Sequence, residues 1–217
     1  MKQKSITLFY VALLMLAIIG CSGGQKVQNP HFESNFTAAQ MEMIMAGDSS
    51  QPMRVFKINK ASDSILLRTK SEPVIVNPKD PVLTHFIKRL FATVRDSMSL
   101  GVGIAAPQVG ILKNIIWVQR FDKEHMPFEV YLNPKIVQYS KMTQDCLEGC
   151  LSIPDRRDTT KTRAYALLLE YDTLENTQVT EMVEAFTAVI FQHEIDHLNG
   201  ILYLDHLEKE VKGSAHQ

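Results

Sequence analysis

Residues 192–200 read QHEIDHLNG. On a helix, His193 and His197 lie one turn apart on the same side and can aim ring nitrogens at one cation. Glu194 follows the first histidine, about 100° further round the axis, where its carboxylate reaches a water rather than the cation. That pattern belongs to metal-assisted hydrolysis. Two imidazoles still leave a catalytic site one protein ligand short. Two inward-facing histidines can also be core residues with satisfied hydrogen bonds, so the third ligand decides.

A metzincin places its third histidine three residues after the glycine of this motif. Here Gly200 is present, but Tyr203 stands at that position and His206 comes three residues later. A thermolysin-like site takes a glutamate from a later helix, and the short remainder of the chain leaves little room for one. The third ligand is therefore sought upstream. Cys150 in EGCLS (148–152) is the candidate. A thiolate suits zinc or ferrous iron, and one cysteine with two histidines leaves a coordination position open for water. Taken alone, Cys150 reads better as a buried structural thiol.

The elements that must position these residues follow from periodicity. A helix from about Glu184 carries Phe186, Val189, Ile190, His193 and His197 on one face, and Asn199-Gly200 ends it with a left-handed cap. Asp80-Pro81 opens a second helix to about Met98, with Phe86, Ile87, Leu90, Phe91 and Val94 as its stripe. A short helix is expected over 36–46. Strands are expected at MRVFKI (53–58), ILKNIIWVQ (111–119), EVYLNP, KIVQY and RAYALLLEY (163–171), with QVTEMVEA pairing to the last across DTLENT. ILLRTKSEPV and the glycine-rich GVGIAAPQVG (101–110) read as loops. The expected fold class is α+β, mixed or antiparallel strands packed around one buried helix.

The chain has 217 residues and a formal net charge of -1. That length suits one catalytic domain, placed at 36–217. That charge gives no reason to expect nucleic acid as a partner. The first residues differ in character. Lys2 and Lys4 precede an apolar run from Ile6 to Ile19, closed by IIGC and a Ser/Gly tail. The run is too short to span a bilayer of roughly 30 Å and fits a signal peptide over 1–20. IIGC resembles a lipoprotein lipobox, which implies cleavage before Cys21, lipid on its sulfur, a polar tether over 21–35 and attachment to a bacterial membrane in the cell envelope. A leader without function would instead leave the protein cytoplasmic.

Three segments, GVGIAAPQ (101–108), EGCLS (148–152) and QHEIDHLNG (192–200), resemble in order and spacing the signature motifs of peptide deformylase. LNP (132–134) and the Asp80 helix resemble that family too, and the likeness covers about residues 53–207. It implies a peptide deformylase-like fold. It implies Cys150, His193 and His197 as metal ligands and Glu194 as the general acid/base. Gln108 and the backbone N–H of Leu151 become oxyanion donors. Val102 and Gly103 become the strip that meets substrate backbone. The implied cofactor is one divalent ion, Fe2+ first, with Zn2+, Ni2+ or Co2+ as alternatives. The implied substrates are N-formylmethionyl peptides of newly made proteins, with formate as product and a monomeric enzyme. Val189 and Ile190, one turn before the ligands, are candidates for a methionine pocket, and equally for plain core.

Two features depart from that picture. Formylated chains arise in the cytosol, whereas the leader points outward. Cys146 stands four residues before Cys150, and a disulfide between them would remove a ligand under oxidising conditions. An exported metallopeptidase or amidase, and a lipoprotein that captures formyl peptides without turnover, are the rival functions.

Overall fold

The computed structural model describes residues 35–97 and 100–214. The leader, Cys21 and the tether up to residue 34 lie outside the described residues. In chain order the elements are helices α1 (Ala38–Met45), α2 (Ala61–Leu67) and α3 (Pro81–Arg95), strand β1 (Gly103–Ala105), a 3-10 turn (Ala106–Val109) and strands β2 (Ile115–Gln119) to β7. The remaining strands are β3 (Phe128–Tyr139), β4 (Thr143–Cys150), β5 (Ile153–Ala164), β6 (Ala166–Asp172) and β7 (Gln178–Glu184), followed by helices α4 (Ala185–Leu198) and α5 (Tyr203–Ser214).

A five-stranded antiparallel sheet runs β1-β2-β3-β6-β7, and β4-β5 forms a separate hairpin. Strand alternation explains how the sheet is covered on both faces. Along β2, Ile115 and Trp117 join the cluster under α3, while Ile116 and Val118 join the cluster under α4. β3 repeats the alternation: Val130 and Leu132 go one way, Tyr131 the other. Successive side chains of a strand point to opposite faces, so one apolar run serves two cores. Leu83, Phe86, Ile87, Leu90 and Val94 of α3 fill the first. Ala188, Ile190, Phe191, Ile195 and Leu198 of α4 fill the second. The expected α+β class is the observed one.

Local chemistry sets the helix ends. Asp80 caps α3, its carboxylate accepting from the Val82 and Leu83 amides, with Pro81 in the first turn. Thr37 and Gln40 form a reciprocal capping box at α1. Gly200, at φ 71°, takes the left-handed position after α4.

Several expectations need correction. MRVFKI is not a strand: Phe56 N–H bonds Gln108 O and Ile58 N–H bonds Ser152 O, so this segment staples two elements without forming a ladder. The first residues of ILLRTKSEPV close α2. GVGIAAPQVG holds β1 and the 3-10 turn. α3 ends at Arg95, before Met98. ILKNIIWVQ becomes strand only at Ile115. EVYLNP and KIVQY are one strand, bulged between Leu132 and Lys135, where Asn133 has φ 50°. Arg163 and Ala164 belong to β5, and β6 starts at Ala166. β6 and β7 pair as expected. The room after Gly200 does hold a helix, α5.

The Cys146–Cys150 disulfide raised for oxidising conditions does not fit. Both thiols are free and both lie on β4. Four residues of strand separate them by about 13 Å, and a disulfide needs Cα atoms within about 7 Å.

Candidate active site

Two elements carry the site. α4 is buried between the sheet and the hairpin, and it presents His193, Glu194 and His197. β4 ends at Cys150, where the hairpin turns toward that helix. The ligating atoms of Cys150, His193 and His197 all lie within 4.8 Å of one another. Cys150 Sγ stands 3.2 Å from His197 Nε2. His193 Nδ1 is 2.8 Å from Glu148 Oε2, which fixes that ring and leaves Nε2 for the cluster. Donor set and spacing fit one divalent cation with a coordination position to spare. Tyr203 and His206 are engaged elsewhere, with Asp158 and Asp196. Among the described residues no carboxylate of α5 joins the donor group.

The electrostatics agree. Burial alone would raise the Cys150 thiol, but His197 and His193 hold it well below its ordinary value, toward the thiolate a metal needs. Burial would also raise Glu148, yet its bonds with His193 and Arg163 hold it ionised, well below the usual carboxylate range. Glu194 goes the other way. Burial pushes its carboxyl up to about 7, against the pull of the two histidines. Glu194 is 4% exposed, and its Oε2 has no partner among the described residues.

The cleft over this cluster has a volume of about 680 Å³. It is lined by Val102, Gly103, Gln108, Leu151, Val189 and Ile190, together with His193 and Glu194. Gly103 is there for want of space: a Cβ would sit 2.5 Å from Glu194 Oε1 and 2.9 Å from Ile190 Cγ2. Gln108 is held by the 3-10 turn. Its Oε1 accepts from Ala105 N–H at 2.8 Å, which points Nε2 at Cys150 Sγ (3.6 Å) and Ser152 Oγ (3.3 Å).

A family model described as polypeptide deformylase matches residues 55–213. The chain belongs to the polypeptide deformylase family. A peptide deformylase of Desulforudis audaxviator is 41% identical over 155 residues, covering 70% of this chain and 94% of that one. Peptide deformylase 2 of Bacillus subtilis is 35% identical over 156 residues, covering 66% and 85%. Among solved structures, the Met-Ala-Ser-bound class I type b peptide deformylase of Acinetobacter baumannii superposes with a TM-score of 0.63 at 35% identity, covering 72% of this chain and 99% of that one. The peptide deformylase of Thermotoga maritima gives a TM-score of 0.63 at 30% identity, covering 72% and 97%.

All the deformylase-motif residues singled out from sequence line this one cleft or its floor. Motif reading gave no role to three others. Glu148 orients His193, Arg163 grips Glu148 through Nε and Nη2 at 2.8 and 2.9 Å, and Ser152, fully buried, meets Gln108. Glu148 had a signal, since metal-ligating histidines usually need an anionic partner behind the ring. Arg163 had none, because it reaches the site only through the hairpin's pairing.

Proposed function

We propose that this chain hydrolyses the formamide of N-formylmethionyl peptides, releasing formate and a free amino terminus. The observation that carries this reading is the meeting of Cys150 with His193 and His197 beside the unpartnered Glu194 oxygen. Cys150, His193 and His197 would hold the cation, whose Lewis acidity would make water easier to deprotonate near neutral pH and would help carry negative charge.

The protein's own groups do the rest. Glu194 takes a proton from the attacking water and returns it to the amine as the C–N bond breaks. The water oxygen ends in formate, so atoms and charge balance. Charge that gathers on the formyl oxygen meets the Gln108 amide, already aimed by Ala105, and the Leu151 N–H. Gly103, in the edge strand β1, offers backbone to an extended peptide, and Val102, whose carbonyl accepts from Gln119 N–H, lines the cleft beside it. Val189 and Ile190 form the apolar wall suited to methionine. The Met-Ala-Ser bound to the Acinetobacter baumannii relative supports a peptide of that kind.

Fe2+ is the proposed ion, since mixed thiolate and imidazole donors accept it, and metal analysis after anaerobic purification tests it. We further propose that the mature chain is a monomer anchored to a bacterial membrane of the cell envelope through lipid on Cys21. The basic start, apolar run and IIGC support that anchoring, and Cys21→Ser is expected to move the protein to the soluble fraction. No described helix is long and apolar enough to cross a membrane.

Formate release from formyl-Met-Ala-Ser decides the activity. The wild type is expected to release it, Glu194→Ala is not, and acetyl-Met-Ala-Ser is expected to be a poor substrate. Absence of formate from the metal-loaded wild type would sink the reading. Binding without turnover would favour a capture protein.

A further inference from the structure

The outer part of the cleft carries charges that the hydrolysis does not use. On the hairpin wall, its lining runs from Cys150 back along β4 to Cys146. That stretch is about 13 Å of extended chain, so a peptide whose formyl group sits at the ligand cluster has about three further residues alongside. Arg157 borders this wall. It faces Gly149 in the hairpin register, and its Cγ and Nε lie 3.2 and 3.3 Å from where a Gly149 Cβ would be. The stem thus crosses the strand one residue from Cys150, and the guanidinium edges the cleft.

Arg156, its neighbour, is taken by Asp158 at 2.7 Å. Among the described residues no carboxylate pairs with Arg157 or with Lys57, the other cation of the lining. Asp155 lies on the same rim and offsets one of these charges, which leaves a net positive edge.

We infer that Arg157 selects formyl peptides with a carboxylate two or three residues beyond the formylmethionine, which are short peptides with a free carboxyl terminus. The inference rests on the deformylase reading and names its substrate class. A guanidinium presents a planar fork that matches a carboxylate, and a nascent chain, whose carboxyl terminus lies far off, offers one at that distance only where an Asp or Glu side chain falls there.

The test compares metal-loaded wild type on formyl-Met-Ala-Ser as the free acid and as the carboxyl-terminal amide. The acid is expected to show kcat/KM about 2- to 5-fold higher, the range for a partly solvated charge pair, and chiefly through KM. The advantage should shrink between about 20 and 500 mM NaCl, as screening shortens the reach of the charge. Arg157→Gln is expected to bring the acid-to-amide ratio to about one. Arg157→Lys, which keeps a charged stem across Gly149, should retain part of it. Equal use of acid and amide by the wild type overturns the inference and leaves the deformylase reading intact. A preference that survives Arg157→Gln, or that ignores salt, overturns it as well. Turnover of neither peptide removes the deformylase reading, and this inference with it.

Discussion

Two arginines are buried in this molecule, Arg163 and Arg120, and each is wrapped in carboxylates. Arg163 holds Glu148 through two bonds and Asp196 through a third at 2.6 Å. Arg120 holds Asp122 and Glu181 through four bonds, with Glu129 and Tyr131 beside them. Both arginine side chains are 2% exposed. The difference lies in the partners. Glu148 is 3% exposed and passes its order to His193, a member of the donor cluster. Around Arg120 the acids keep 23–32% exposure, and the network ends on Tyr131 within the sheet. A buried arginine with acids around it is therefore no mark of a site. What marks one here is a network that ends on His193, a member of the donor cluster, beside the unpartnered Glu194 oxygen at a cleft.

The largest contrast comes from the proton carrier. Glu194→Gln is expected to lower kcat by about 10² to 10⁴ with metal content unchanged. Formate-release kinetics with metal analysis on the same sample check both halves. Near-normal turnover would place the acid/base elsewhere.

One step back, Glu148→Gln should weaken metal affinity by about 10- to 100-fold, the usual cost of losing the group behind a ligating histidine. Glu181→Gln, its counterpart at the other cluster, should leave metal affinity as it is. Chelator competition on the two variants decides it, and equal losses would dissolve the distinction drawn between the networks.

Stability separates them next. Arg163→Met strands a carboxylate pair away from water and is expected to cost about 3–5 kcal/mol. Arg120→Met leaves acids that can turn to solvent and should cost less, about 1–3 kcal/mol. Urea unfolding of both variants measures the gap, and a reversed order would contradict the burial argument.

The smallest effect belongs to a third buried acid, Asp63, which meets the cleft lining only through the Lys57 amide. Arg54 bonds Asp63 and, with smaller help from the Lys57 amide, holds its carboxyl down from 3.8 to about 2. A depressed folded-state value means the stabilisation is present above the unfolded value and is lost as pH falls through about 2. Stability of the wild type should therefore fall between about pH 4 and 2, and less steeply in Asp63→Asn. Identical slopes in a pH series of urea melts would show that the pair contributes nothing.

Legibility followed physics. Caps and stripes are local, so the Asp80 helix and the Glu184 helix could be read closely from their residues. The β6–β7 pair could be read because its turn and both strands are contiguous. The β4–β5 hairpin could not. TQDCLEGC and PDRRDTTKTRA alternate nothing apolar, because much of this hairpin faces the cleft and solvent rather than a core. MRVFKI misled for the opposite reason. Its β-branched and apolar residues suit a strand, but its amides are spent on two separate elements. The pair Cys146 and Cys150 was misjudged by the same hairpin, since strand geometry spreads residues that a helix would stack.

Sequence alone determined the donor types, their order along the chain and the helix that places His193 and His197 on one face, because a helix converts spacing into direction without help. Only tertiary structure decided that the Cys150 sulfur arrives beside those rings, that Arg163 stands behind Glu148, and that Arg157 edges the opening. Each of those depends on how a polar hairpin docks against a buried helix whose histidines lie 45 and 47 residues further along the chain, and no local propensity carries that distance.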